Sequence, residues 1–126
     1  MTSDFSDFTA RLREFVQSAE RAMHSETPSI ANEMSFNELA LELFRLQFAH
    51  NASYRRLCKA RGVSPQDVTG WAQVPAAPTA AFKEFELSCL PEAERTAVFH
   101  SSGTTAQRPS RHFHNAASLA IYRASL

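Results

Sequence analysis

Val98-Phe99-His100-Ser101-Ser102-Gly103-Thr104-Thr105 is the stretch that decides the fold class of this chain. Residues 96–100 are short, apolar and partly β-branched, a composition typical of a buried strand. The hydroxyl-bearing residues that follow surround Gly103, and glycine lets a backbone turn so tightly that successive amide groups face one anion. The stretch therefore predicts a strand followed by a phosphate loop, Ser101 to Thr105. Polar surface turns have a similar composition, so the loop alone leaves both interpretations open.

The residues that follow the loop favour the phosphate interpretation. Arg108 and Arg111 supply positive charge directly after it. A second strand is predicted over 110–114, and Asn115 is suited to cap a helix beyond that strand. The loop is neither a P-loop nor a dinucleotide fingerprint, because Gly-x-x-x-x-Gly-Lys-Ser/Thr and Gly-x-Gly-x-x-Gly are both missing. We expect strand, phosphate loop, strand and helix over 96–126.

The chain before the loop is predicted to be helical. Apolar residues recur at the helical period over 5–24, which predicts an amphipathic helix that either docks on a partner subunit or caps the domain. Ser35 and Glu38 form a Ser-x-x-Glu capping box, so a second helix is expected to begin at Ser35. Its apolar residues lie around much of its circumference, which indicates packing on more than one side.

A helical region with a Pro-rich connector is predicted over 35–95. A third helix is expected from about residue 52 to residue 60, with Gly62 in the left-handed conformation after it. Pro75 and Pro78 keep the next segment extended, because proline fixes its own φ and disfavours helix at the preceding residue. Only three glycines occur in the chain, so each is expected to meet a specific backbone need.

Composition excludes several classes of protein. The 126 residues suffice for about one domain, and thirteen basic residues balance thirteen acidic ones, which argues against a nucleic-acid partner. Two cysteines, Cys58 and Cys89, fit neither a disulfide framework nor a zinc site. No signal peptide or membrane span is evident, so a cytoplasmic location is expected.

Beyond this pattern, the chain resembles a known superfamily. The stretch from Val98 to Thr105 is similar to the phosphate loop of the adenylate-forming enzymes, which include acyl-CoA synthetases and phenylacetate-CoA ligases. Upstream blocks resemble the acyl-protein synthetases, the long-chain-fatty-acid–protein ligases of bacterial bioluminescence operons. These blocks are Phe36-Asn37-Glu38-Leu39-Ala40, Leu43-Phe44-Arg45-Leu46-Gln47-Phe48, His50-Asn51, Tyr54-Arg55, Gly62-Val63, Val74-Pro75-Ala76-Ala77-Pro78 and Phe82-Lys83, with Ser118 and Tyr122 near the end.

The resemblance covers roughly residues 36–126 and implies a function. Ser101, Ser102, Gly103, Thr104 and Thr105 would hold the β- and γ-phosphates of ATP, with Mg²⁺ as the accompanying ion. A carboxylic acid, expected to be a fatty acid, would attack the α-phosphate to form an acyl-adenylate, and a protein thiol would then accept the acyl group. Partners of this kind would be an acyl-reductase or an acyl-carrier protein.

Two departures from the family's pattern concern the loop. The usual glycine after the second threonine is replaced by Ala106, and alanine would be strained if that position requires a positive φ. The usual Pro-Lys is replaced by Arg108-Pro109-Ser110-Arg111, so either Arg108 or Arg111 is the candidate to reach phosphate. We include Arg108 in the predicted nucleotide site.

Other candidate residues are assigned structural roles. The three histidines His100, His112 and His114 lack a nearby carboxylate or cysteine in the sequence, so no metal site is predicted. Lys83 is expected on a solvated turn. Cys58 and Cys89 lack a neighbouring histidine and are expected to be structural, because the family's acylated cysteine lies near the C-terminus. No catalytic residue is assigned.

The fold class expected from these patterns is α/β: the helix-rich N-terminal portion of an adenylate-forming large domain. Residues 1–126 would form a single incomplete domain, because the last predicted helix reaches Leu126 without a cap and looks cut. We therefore expect no ligase activity from this chain alone. A phenylacetate-CoA-ligase-like enzyme that uses coenzyme A as acceptor and a non-catalytic helical interaction module are the alternatives.

Overall fold

A computed structural model describes residues 3–23, 30–101 and 108–126 of the chain. It is rich in helix and carries one small antiparallel sheet near the C-terminus, as the α/β prediction requires in outline. The helices are α1 (Ser3–Ala22), α2 (Ile30–His50), α3 (Ala52–Ala60), α4 (Ala81–Glu84) and α5 (Ala116–Ala124), and the strands are β1 (Ala97–His100) and β2 (Arg111–His114). Short 3-10 helices occupy Pro65–Asp67, Trp71–Gln73 and Glu92–Glu94.

The predicted start of the second helix is wrong. Helix α2 begins at Ile30, so Ser35 lies inside the helix and does not cap it. Ala31, Glu33 and Met34 are good helix formers, and they extend the helix through the residues before Ser35. The prediction of packing on several sides is confirmed, because α2 contacts α1, α3 and the two 3-10 helices before residue 74.

The core lies where α2 meets α3. Phe44, Tyr54, Cys58 and Val68 form one buried cluster, in which Cys58 has no exposed surface. The rings of Phe44 and Tyr54 meet edge to face, with centroids 6.1 Å apart and an interplanar angle of 85°. Such aromatic pairs add stability beyond the area they bury. Phe44 of α2 therefore belongs to the core.

Gly62 and the prolines shape the connector after α3. Gly62 has a φ of +68°, in the left-handed region, so the predicted backbone need is confirmed there. Gly70 has a φ of −142°, and a Cβ added to it would meet only the Asn37 side chain at an ordinary 3.9 Å. The expectation that every glycine meets such a need is therefore wrong for Gly70. Gly103 lies outside the described residues.

Strands β1 and β2 pair antiparallel, with Ala97 opposite His114 and His100 opposite Arg111. The predicted order of strand, connecting segment, strand and helix is confirmed, and the Asn115 side chain accepts a hydrogen bond from the Ser118 amide as the cap of α5. The predicted burial of the first strand is wrong. Val98 is 44% exposed and Phe99 is 48% exposed. The two side chains lie on opposite faces, so the described parts of the chain cover neither face of β1 completely.

Helix α1 packs against other helices of the described chain, including the last one. It contacts both α2 and α5, and its Phe8 is only 4% exposed. Arg11 also forms an ion pair with Glu42 of α2. Of the two roles predicted for this helix, these contacts favour packing on the rest of the chain.

Candidate functional site

The two ends of the predicted phosphate loop lie side by side. The Ser101 amide donates to the Ser110 carbonyl at 3.3 Å, and the Ser110 amide donates back to the Ser101 hydroxyl oxygen at 3.0 Å. The first bond lies between backbone groups next to the β1–β2 ladder, and the second is accepted by a side chain. Ser101 and Ser110 are therefore adjacent at the end of the strand pair.

Ser110 anchors this pair from the side of β2. It is only 6% exposed, and its hydroxyl lies 2.9 Å from Nε2 of His112. Ser110 directly precedes β2, and its side chain contacts that of His112 two residues further along. The His112 ring packs on Phe82 of α4, with centroids 5.0 Å apart and an interplanar angle of 31°. A contact chain thus runs from α4 through β2 to Ser101.

The two arginines near the loop differ in their surroundings. Arg108 is exposed, so its guanidinium is accessible to an anion. Arg111 is half-buried, and its guanidinium lies 5.8 Å from the centroid of the Phe113 ring. The Arg95 guanidinium lies closer to the same ring, at 4.3 Å, and also pairs with Glu86. Arg108 is therefore the more accessible of the two to solvent.

Lys83 is half-buried on α4, next to the Phe82 that packs on His112. The prediction that Lys83 lies on a solvated turn is therefore wrong, because Lys83 lies within a short helix that contacts β2.

The blocks quoted for the family resemblance contact one another. The Asn51 side chain, 3% exposed, caps α3 by accepting from the Tyr54 amide at 3.1 Å. The Tyr54 hydroxyl donates to the Pro75 carbonyl at 2.7 Å. Arg55 donates to the carbonyls of Phe48 and Ala49 at the end of α2, at 3.0 and 2.7 Å. These polar residues fix the angle between α2, α3 and the connector.

The thiols are not activated. Burial raises the pKa of Cys89 to about 11, and burial likewise raises the pKa of Cys58. A raised pKa lowers the fraction of thiolate, which is the nucleophilic form. The structure therefore agrees with a structural role for both cysteines.

The histidines contact other side chains. His112 bonds Ser110, and Nδ1 of His114 lies 3.1 Å from the Ser118 hydroxyl of α5. Within residues 3–23, 30–101 and 108–126, no group of three or more His, Cys, Asp or Glu side chains is placed to hold a metal ion. In the same residues, no helix is long and apolar enough to cross a membrane.

Of the six predicted nucleotide-site residues, the structure describes Ser101 and Arg108, both exposed. The other four, Ser102, Gly103, Thr104 and Thr105, lie outside the described residues, as does Ala106. Sequence reasoning missed the Ser110–His112 pair. The Ser-x-His spacing within a predicted strand is the signal that could have found it, since residues two apart share a face.

Comparison of the chain with protein-family models, with curated proteins and with solved structures finds no match in any of the three.

Proposed function

We propose that this chain is the N-terminal part of an ATP-dependent ligase that resembles the acyl-protein synthetases. The ligase would activate a carboxylic acid, expected to be a fatty acid, as an acyl-adenylate and transfer the acyl group to a protein thiol. The chain would supply part of the adenylate-forming domain, including the segment that holds the β- and γ-phosphates of ATP. Its partner would be the acyl-accepting protein, an acyl-reductase or an acyl carrier.

The observation that carries this proposal is the hydrogen-bonded pair of Ser101 and Ser110. Reciprocal hydrogen bonds join Ser101 and Ser110 at the end of an antiparallel strand pair. The Ser101 hydroxyl oxygen already accepts the Ser110 amide, so its own hydrogen is available to donate to an anion. Arg108, two residues before Ser110 in the chain, adds an exposed positive charge. These described residues suit a polyphosphate, which needs several donors at once.

The exposed apolar residues of β1 support the same proposal. Val98 and Phe99 are each nearly half exposed, although valine and phenylalanine are typical of strands that pack against other elements. Further elements packed on the sheet would cover these two side chains. This is what the proposal expects of a hairpin that belongs to a larger α/β domain.

The chemistry proposed for the whole ligase has two steps. The carboxylate oxygen attacks the α-phosphorus of ATP, the bond between the α-phosphorus and the bridging oxygen breaks, and pyrophosphate leaves. A thiol sulfur then attacks the acyl carbon, its proton is lost to a base, and AMP leaves. Mg²⁺ would neutralise phosphate charge in the first step. This chain's residues would orient the pyrophosphate leaving group and stabilise the negative charge that develops on it.

Exchange of labelled pyrophosphate into ATP tests the proposal, because it requires reversible formation of the acyl-adenylate. In the complete protein encoded by the reading frame that contains this chain, Thr104→Ala should slow the exchange. Loss of one hydrogen bond to a charged phosphate costs on the order of 1.5–3 kcal/mol, or about ten- to a hundredfold in rate. Thr96→Ala is the matched control, since Thr96 is exposed on the same hairpin and outside the segment.

The outcomes of this experiment separate the alternatives. Exchange that is unchanged by Thr104→Ala would show that the segment does not hold the leaving group. Exchange in the presence of acid, followed by labelled acyl transfer to coenzyme A and not to protein, would favour the phenylacetate-CoA-ligase-like alternative. Absence of exchange with every acid tested would favour a non-catalytic interaction module.

A further inference from the structure

A groove of about 650 Å³ lies between α3, α4 and the Pro-rich connector. Its apolar lining includes Leu57, Ala60, Ala81, Phe85 and Leu87. Leu57 and Leu87 also pack against the buried cluster between α2 and α3, and Ala81 is itself buried. Phe85 is 53% exposed. The groove is therefore an apolar surface that continues the core outwards and ends in an exposed aromatic ring.

The residues of α3 that line the groove share one side of that helix. Ser53, Leu57 and Ala60 are separated by four and three residues, so their side chains stack along one face. Tyr54 and Cys58 of the same helix are buried in the core instead. The core therefore uses one side of α3 and leaves the adjacent side to the groove.

The polar residues of the lining carry a net positive charge. Arg56, Arg61 and Glu84 all line the groove and are exposed. Arg61 donates through Nη1 to the Ala76 carbonyl at 2.8 Å, which fixes its guanidinium. Arg56 makes only a long contact of 3.4 Å with the Ser53 hydroxyl. A guanidinium has five N–H donors, so both arginines retain donors that suit a carboxylate.

The shape of the groove favours a helix over a small molecule or an added strand. Small-molecule pockets bury most of their ligand, whereas the exposed Ala60, Ala80 and Phe85 would leave much of a small ligand in water. An added strand needs backbone donors, and Pro78 of the lining has none. A helix bonds its own backbone and needs only an apolar groove for its side chains.

We infer that this groove is the docking site for an amphipathic helix of a partner protein, with acidic residues on both sides of its apolar face. The apolar face would cover Leu57, Ala60 and Phe85. Carboxylates beside it would pair with Arg56 and Arg61, since charge-assisted bonds to guanidinium are strong and directional. The inference goes beyond the proposed function and does not depend on it, because it requires no nucleotide.

A fluorescently labelled synthetic peptide of about 18 residues, long enough to form a helix, serves as the probe. It has leucines on one face, glutamates on both sides of that face and alanines elsewhere. One control peptide has lysine in place of every glutamate, and a second has the first composition in an order that breaks the helical period. The chain has thirteen basic and thirteen acidic residues, so its total charge favours neither the acidic nor the basic peptide.

Fluorescence anisotropy with the 126-residue chain measures the three dissociation constants. We expect the acidic amphipathic peptide to bind at least about tenfold more tightly than either control, because only this peptide matches both the apolar groove and its arginines. Its affinity should fall as salt is added, since exposed charges are screened. Equal binding of the acidic and basic peptides, or no binding of the acidic peptide at millimolar concentration, would overturn the inference.

Two pairs of variants locate the binding. Phe85→Ser should weaken binding of the acidic peptide at least about fivefold, and Phe99→Ser, at a phenylalanine of similar exposure on β1, should stay within about twofold of the parent. Arg56→Glu should weaken binding about three- to tenfold, and Arg45→Glu, at an exposed arginine of α2 outside the groove, should have less than about a twofold effect. Equal effects within either pair would contradict docking in the groove.

Other occupants give distinct results. Displacement of the peptide by octanoate at a lower concentration than that of the peptide itself would assign the groove to a small amphipathic acid and overturn the inference. Self-association of the free chain that Phe85→Ser abolishes, measured by sedimentation, would assign it to a second copy and overturn the inference equally. Melting temperatures identify any variant that fails to fold, and Arg56→Glu, at an exposed side chain, then decides the location.

Discussion

Tyr54→Phe removes the bond that joins α3 to the Pro-rich connector. The Tyr54 hydroxyl donates to the Pro75 carbonyl at 2.7 Å, and both residues are buried. Phenylalanine fills nearly the same volume, so the Tyr54 ring contact with Phe44 is retained and only the bond is lost. A buried acceptor left without a donor costs about 1–3 kcal/mol. Part of this cost is offset because phenylalanine has no hydroxyl to desolvate, so we expect the free energy of unfolding to fall by about 1–2 kcal/mol.

Urea unfolding followed by far-ultraviolet circular dichroism measures this change. Tyr122→Phe provides the matched control, since Tyr122 is the other tyrosine of the chain and is 52% exposed. Its expected effect is within about 0.5 kcal/mol of zero. Equal destabilisation by the two substitutions, or no loss in Tyr54→Phe, would refute the argument that the connector is held by this bond.

The same variant has a distinct pH dependence. Burial raises the pKa of Tyr54 above its ordinary value of 10. The folded chain then keeps a proton that the unfolded chain releases, so this residue contributes stability below pH 10 that is lost as the pH rises beyond it. The difference in stability between the parent chain and Tyr54→Phe should therefore shrink above pH 10. A constant difference up to pH 11 would contradict the assignment.

Two further predictions concern the backbone and the thiols. Gly62→Ala should lower the free energy of unfolding by about 1 kcal/mol. A Cβ there meets no atom within 4 Å, so only the left-handed φ of +68° opposes the substitution. Gly70→Ala, measured by the same urea titration, should be neutral or slightly stabilising. Cys89 should react with a disulfide reagent at a rate that still rises towards pH 11, since burial raises its pKa to about 11, and a plateau near pH 9 would show an exposed, ordinary thiol.

The order of elements was predictable because each has a local signal. The first strand, the Asn115 cap and the left-handed Gly62 follow from β-branching, capping chemistry and the position of a glycine after a helix. The start of α2 was not predictable from Ser35, because a Ser-x-x-Glu pattern also occurs inside helices. The exposure of Val98 depends on which elements cover β1, and strand composition carries no information about that.

The phosphate site stays a prediction from the sequence, and the contacts around it were not predicted. Ser101 and Arg108 are exposed near the end of the strand pair. Ser110 and His112 were not singled out as a pair, because their link depends on which face of β2 turns towards Phe82. The hydrogen bond of the Tyr54 hydroxyl was not predicted either, because its acceptor lies 21 residues further along the chain. Such long-range contacts follow from packing, which local patterns do not specify.

Titration of the isotopically labelled chain with Mg·ATP, followed by amide chemical shifts, tests the central claim most directly. The account predicts shifts concentrated at residues 101–108, with competition by tripolyphosphate and little competition by AMP, because the segment would hold the β- and γ-phosphates. Amides of α1, remote in sequence from the segment, should be unaffected and serve as the internal control. Shifts absent from residues 101–108 at millimolar Mg·ATP, or competition by AMP equal to that by tripolyphosphate, would contradict it.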